Sequence, residues 1–123
     1  GRDNPAFRQF FTSLFMPGSN KDQMSRFNEL QRKTISPETA AEPLGVARHV
    51  DVTHLLAAID ITTLVLHCRD DAVAPFEGGR RVAAGIPNAR FVALEGQNHM
   101  ILEDEPAWPR FLTEVRQFLA EGV

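Results

Sequence analysis

Apolar residues recur at helical spacing near the start of the chain. Phe7, Phe10, Phe11, Leu14 and Phe15 stand at i, i+3, i+4, i+7 and i+8, the stripe of an amphipathic helix over residues 5 to 16. Asn4 and Pro5 suit its N-cap and first helical position, and Pro17-Gly18 stops it. Such a stripe is expected to belong to a core. A second helix is predicted from Ser19, whose hydroxyl can cap the first turn, to about Lys33, with Met24, Phe27 and Leu30 on a narrower face. Ser36-Pro37-Glu38 is a further cap-then-proline start that Pro43 and Gly45 cut short or kink, and Asp51 opens a short helix through Ile59.

The pattern changes at residue 63. Thr63-Leu64-Val65-Leu66 is a short, β-rich apolar run, the mark of a strand buried on both faces of a parallel sheet. Asp70 to Pro75 reads as a loop, and Phe76 to Ala84 as a helix closed by Gly85 and Pro87. Arg90-Phe91-Val92-Ala93-Leu94 follows as a second strand, so one βαβ crossover is complete. Trp108, Phe111, Leu112, Val115, Phe118 and Leu119 form the stripe of a last helix, with Pro106 and Pro109 tolerated in its first turn. Helices first, then strand, helix, strand and helix, predict an α/β fold whose second half is the end of a doubly wound sheet. Two parallel strands leave long unpaired edges, so completion by another chain, another fragment or a second copy is expected, and with it an oligomer or a clipped complex.

The composition narrows the function classes. The 123 residues fit one compact domain, and 43% hydrophobic with 24% charged residues is the balance of an ordinary globular chain. A net charge of −3 gives no electrostatic footprint for nucleic acid or an anionic membrane. The single cysteine, Cys68, has no partner for an internal disulfide, which fits a reducing compartment and makes the cytoplasm the default location. The apolar stretch Phe10 to Met16 is far below the roughly 20 residues of a membrane span. It leads into Pro17-Gly18-Ser19-Asn20-Lys21 and not into the small-residue cleavage site of a signal peptide. The chain begins with Gly1 in place of Met, so it reads as a processed, engineered or proteolysed piece of something longer.

In a parallel sheet, ligands bind beyond the carboxyl ends of the strands, and both strands here run into polar loops at that end. The first loop carries Asp70 and Asp71, the second His99. Neighbouring strands lie about 4.8 Å apart, so side chains on the two loops can reach hydrogen-bonding range. A carboxylate paired with an imidazole fixes its tautomer and stabilises the imidazolium formed when the other ring nitrogen takes a proton from a nucleophile. Solvated loop residues are the plain alternative.

The surrounding residues carry more. Ile61-Thr62-Thr63-Leu64-Val65-Leu66-His67-Cys68-Arg69-Asp70-Asp71-Ala72-Val73-Ala74-Pro75 resembles the acid-bearing strand and loop of α/β-hydrolases, where the catalytic Asp precedes a proline by four residues. Leu94-Glu95-Gly96-Gln97-Asn98-His99-Met100, with Glu103-Asp104-Glu105-Pro106 after it, is similar to that family's histidine loop and the opening of its last helix. The resemblance spans about Asp51 to Ala120, with the order Asp then His that the family shows. It implies that Asp71 is the acid and His99 the base, with Asp70 the alternative if the register shifts by one. It also implies that residues 1–50 are a helical cap or lid segment and residues 51–123 the C-terminal βαβα portion of the hydrolase domain.

The family usually has proline where Thr62 stands and glycine where Cys68 stands. No glycine in the chain begins G-x-S, so the nucleophile elbow G-x-S-x-G is absent, and so is the oxyanion-hole loop. The expectation is therefore the C-terminal half of a serine hydrolase acting on an ester or similar small acyl compound, inactive alone, with its serine outside this chain. No metal or organic cofactor is implied. The alternative is a non-catalytic, ligand-sensing module, because similar hydrolase-like domains occur joined to LuxR-type DNA-binding regions or nucleotide cyclases in bacterial regulators.

Other features read more simply. Cys68 lacks the elbow glycines and is expected as a buried structural thiol. His49 and His54 fall about 140° apart on a helix, which is not the one-face pair a zinc site needs. Gly78-Gly79-Arg80-Arg81 matches no phosphate loop. Phe11, Phe15 and Phe27 are the candidates for lining an apolar substrate pocket within a cap.

Overall fold

The computed structural model describes residues 5–34 and 51–121, except for the side chains of Pro5 and Phe7. The expected helix start at Ser36 and the residue His49 lie outside the described residues. Helix α1 spans Pro5–Phe15 and α2 spans Lys21–Thr34. The cap of α2 is Asn20 and not Ser19. Asn20 Oδ1 accepts from the Gln23 N–H at 2.8 Å while Gln23 Oε1 accepts from the Asn20 N–H at 2.9 Å, a reciprocal capping box. Ser19 is already committed to the end of α1, its hydroxyl donating to the Met16 carbonyl at 2.7 Å.

The apolar stripe of α1 is only partly covered, with Phe11, Leu14 and Phe15 half-buried. Phe10 is 62% exposed, whereas Thr12 is fully buried. The face of α1 that carries Thr12 meets the polar side of α2. Thr12 donates to Asn28 Oδ1, Gln31 donates to the Thr12 hydroxyl at 2.7 Å, and Asn28 donates to Gln9 at 2.7 Å. A chain of hydrogen bonds thus joins the two helices of the hairpin beside the packing that the apolar periodicity predicted.

The short helix expected after Asp51 is a 3-10 helix, Thr53–Ala58, with Asp51 Oδ1 accepting from the Thr53 N–H at 3.0 Å and from its hydroxyl at 2.6 Å. Strand β1 is Thr63–Cys68, α3 is Phe76–Gly85, β2 is Ala89–Leu94 and α4 is Ala107–Ala120. The strands are parallel, in register from Thr63 opposite Ala89 to Cys68 opposite Leu94. One face of the pair is the core: Cys68, Val92, Leu94 and Ala107 are buried together, with Leu64, Leu66, Ile101 and Phe111 packed against them. Side chains alternate across a strand, so His67 and Phe91 fall on the opposite face, where Phe76 of α3 meets both rings edge on. Helices on both faces of a two-stranded parallel sheet make this part of a doubly wound α/β architecture, as the order of elements predicts. Among the described residues no helix is long and apolar enough to cross a membrane.

Candidate active site

Pairing continues past the strand ends and brings the two polar loops together. The Arg69 N–H donates to the Leu94 carbonyl and the Asp70 N–H to the Gly96 carbonyl, each at 3.0 Å. Register therefore sets the two loops side by side, and His99 Nδ1 donates to Asp71 Oδ2 at 2.7 Å. Asp71 is the carboxylate that meets the imidazole. Its neighbour Asp70 is exposed.

Asp71 is fixed by its own turn. Oδ1 accepts from the Val73 N–H at 2.8 Å and the Ala74 N–H at 3.0 Å, which closes the loop as an Asx turn ahead of Pro75. The side chain is only 4% exposed. Burial works against its charge, yet the Ala74 N–H, the His99 ring and the Val73 N–H outweigh it and hold the carboxyl below the usual carboxylate range. A charged Asp71 keeps the proton of a neutral His99 on Nδ1 and leaves the lone pair on Nε2. His99 can then accept a proton from a nucleophile.

His99 is held from farther away. Its N–H donates to the Phe15 carbonyl at 2.8 Å, and the Met100 N–H donates to the same oxygen at 3.1 Å. Asn98, 3% exposed, accepts from the Gly18 N–H at 2.9 Å and donates to Glu105 Oε2 at 2.6 Å. Glu105 Oε2 also accepts from the Leu102 N–H at 2.8 Å. The histidine loop is thereby tied to the α1–α2 hairpin on one side and to the start of α4 on the other. A Cβ at Gly18 would lie 3.2 Å from Gln97 Nε2 and 3.3 Å from Asn98 Nδ2, so glycine permits the close approach.

Phe15 stands beside the imidazole, with Phe11 and Phe27 gathered around it. The Phe11 and Phe15 ring centroids are 4.5 Å apart, those of Phe15 and Phe27 6.3 Å, and Phe15 meets His99 edge on at 5.1 Å. Cys68 is 3% exposed, and burial, with the carboxylates of Glu105 and Asp71 adding to it, pushes its thiol up to about 11. Such a thiol stays protonated near neutral pH and is no nucleophile. Among the described residues no group of three or more His, Cys, Asp and Glu side chains is arranged to hold a metal ion.

Three contributors escaped the sequence reading. Asn98 and Glu105 were legible only as loop residues around His99, and His67 only as a strand residue, although its Nε2 lies 3.5 Å from Asp71 Oδ2. The available signal was position, since all three fall within seven residues of Asp71 or His99.

Residues 33–122 match the family model described as TAP-like protein. The chain is 40% identical over 70 residues to the non-heme chloroperoxidase CPO-A1 of Kitasatospora aureofaciens, a match covering 54% of this chain and 26% of that protein. It is 27% identical over 103 residues to the AB hydrolase superfamily protein YisY of Bacillus subtilis (strain 168), covering 83% of this chain and 32% of the other. The chain thus spans between about a quarter and a third of the length of these curated relatives. Among solved structures, the esterase EaEST from Exiguobacterium antarcticum superposes with a TM-score of 0.82 at 22% identity, over 96% of this chain and 43% of that one. The esterase RhEst1 from Rhodococcus sp. ECU1013 gives 0.69 at 24% identity, over 94% and 41%. At these identities the structural likeness establishes the fold.

Proposed function

The chain belongs to the TAP-like protein family of α/β-hydrolases, and from that premise we propose that it supplies the acid and the base of a serine hydrolase acting on a small ester or related acyl compound. The observation that carries the reading is the 2.7 Å hydrogen bond from His99 Nδ1 to a carboxylate that is itself buried and clamped by two backbone N–H groups. Asp71 orients His99 and stabilises its imidazolium, and His99 Nε2 takes the hydroxyl proton of a serine as that oxygen attacks the acyl carbon. The same proton then passes to the departing alkoxide, an acyl-serine forms, and a water activated by His99 releases the acid and regenerates the serine.

The serine belongs to a segment outside this chain, a reading supported by the absence of any G-x-S and by the fraction of its relatives that the chain spans. Residues 1–50 act as a cap, in which Phe11, Phe15 and Phe27 offer an apolar wall beside His99 to the acyl or alcohol part of the substrate. The edges of the two-stranded sheet are met by strands of the remaining hydrolase or of a second copy. A stable monomer of the isolated chain by light scattering contradicts that last point.

The test is fluorophosphonate labelling of the longer polypeptide that carries this chain, with peptide mapping, in wild type and in His99→Ala. One labelled serine, suppressed in His99→Ala, is the expected result. No labelling at all overturns the hydrolase in favour of a ligand-binding module. The isolated chain is expected to leave esters untouched, and ester turnover by it that His99→Ala abolishes refutes the placement of the serine elsewhere.

A further inference from the structure

A second imidazole lies against the same carboxylate. The His67 side chain, 12% exposed, stands in β1 with Nε2 3.5 Å from Asp71 Oδ2 and 2.8 Å from the Ala74 carbonyl. A carbonyl only accepts, so the proton of His67 sits on Nε2 and is donated to Ala74. Ala74 is also the residue whose N–H clamps Asp71 Oδ1 at 3.0 Å. One residue of the acid loop is thus held at both of its backbone polar groups, the N–H by the acid and the C=O by His67.

The His67 ring is fixed by its other neighbours. Phe76 meets it edge on with centroids 5.9 Å apart. Gly79 of α3 is buried against it, and a Cβ there would stand 2.9 Å from His67 Cγ and nearer still to Nδ1. The ring is therefore wedged between α3 and the loop, with Nε2 directed at its polar partners, the Ala74 carbonyl and Asp71 Oδ2.

We propose that His67 is a positioning residue for the Asp71 and His99 pair, tying Ala74 to the strand and standing beside Asp71 Oδ2 so that this oxygen stays aimed at His99 Nδ1. The proposal rests on the reading of Asp71 and His99 as acid and base. The Asx turn at 71–74 is internally bonded, and its near end is joined to β1 by the Asp71 N–H on the Cys68 carbonyl at 3.4 Å; the His67 bond to Ala74 ties its far end, so that loss of this second tie lets the turn tilt about Asp71 and carry Oδ2 with it. A misplacement of about 1 Å in such a constellation costs on the order of 10²-fold in rate.

The test reads histidine tautomers by nitrogen-15 NMR, with labelled histidine, on the longer polypeptide that carries this chain, at a pH where both rings are neutral. Wild type is expected to show opposite forms, His99 protonated on Nδ1 and His67 on Nε2. In His67→Leu, with the amide spectrum otherwise retained, His99 shifts to a mixture dominated by the Nε2–H form that an unpaired imidazole prefers. His67→Gln, whose amide can donate to Ala74, restores the Nδ1–H form. Gly79→Ala removes no polar group yet displaces the His67 ring, and shifts His99 in the same direction by less. A folded His67→Leu in which His99 stays wholly on Nδ1 overturns the proposal. If His67→Leu fails to fold, an unchanged His99 in Gly79→Ala overturns it equally. In the complete hydrolase, kcat of His67→Leu falls on the order of 10²-fold at unchanged KM and recovers in His67→Gln. Tautomer control by His67 without any fluorophosphonate-labelled serine leaves the positioning role standing and sinks the hydrolase reading. A labelled serine with His99 indifferent to His67 does the reverse.

Discussion

The acid loop and the histidine loop reach the same hydrogen bond by opposite means. Asp71 is held within its own neighbourhood, by N–H groups two and three residues ahead and by a histidine four residues behind. His99 is held by groups distant in sequence, its N–H on the Phe15 carbonyl and its neighbour Asn98 on the Gly18 N–H. Exposure follows the same division, 4% for the Asp71 side chain and 36% for that of His99. The acid's turn closes on local bonds, whereas the base, besides the tie of Asn98 to Glu105, depends on contacts with the docked hairpin. The pair thus has one rigid member and one whose position reports on the α1–α2 segment.

The largest effect is expected at the contact between Asp71 and His99. Asp71→Asn keeps the shape but loses the charge that fixes the imidazole tautomer, and kcat of the complete hydrolase is expected to fall on the order of 10⁴-fold in a steady-state ester assay. The next largest effect separates the loops. Asn98→Ala removes a buried side chain that is the partner of the Gly18 N–H and of Glu105 Oε2. It is expected to cost about 1 to 3 kcal/mol in urea unfolding. Amide exchange at Met100 should accelerate while Val73 and Ala74 stay protected. Equal loss of protection in both loops contradicts the division drawn above.

Asn20→Ala acts on the hairpin alone by removing the reciprocal cap of α2. A cost of about 1 kcal/mol is expected, read as a lower unfolding midpoint with the Asx turn untouched. The smallest effect is on pH dependence. Asp71 is held below its ordinary range when folded, so its share of stability is present above the unfolded carboxyl pKa of about 3.9 and is lost as pH falls through the folded value. Asp71→Asn should flatten the acid limb of the stability curve in that window. An unchanged acid limb means that other carboxylates dominate it.

The elements that local chemistry specifies were legible in the residues. Thr63 to Leu66 and Arg90 to Leu94 announced strands by continuous apolar, β-rich runs, and the Phe76 helix stopped at Gly85 as its punctuation indicated. The resemblance around Asp71 and His99 directed attention to two residues that lie 2.7 Å apart. The misreadings have physical causes. Periodicity cannot tell an apolar face that packs from one that stays open, so the α1 stripe read as core although Phe10 is 62% exposed. Ser19 is as good a cap as Asn20 by residue type, and only the engagement of its hydroxyl at Met16 decided between them. His67 carries no local sign of its role, because the contact with Ala74 depends on how the loop folds back over the strand end.

By itself the sequence determined the order of strands and helices and the two polar loops at the carboxyl ends of the strands, because these follow from side-chain type and spacing along the chain, and the resemblance of its two loop segments pointed to the family. Tertiary structure decided between Asp71, which the resemblance favoured, and Asp70 as the partner of the histidine, and it alone decided which face of α1 is hidden and how Phe15, with Phe11 and Phe27 around it, comes to stand beside His99. Each of those depends on register and on contacts between residues far apart in the chain, where a shift of one residue turns every side chain to the other face of its strand.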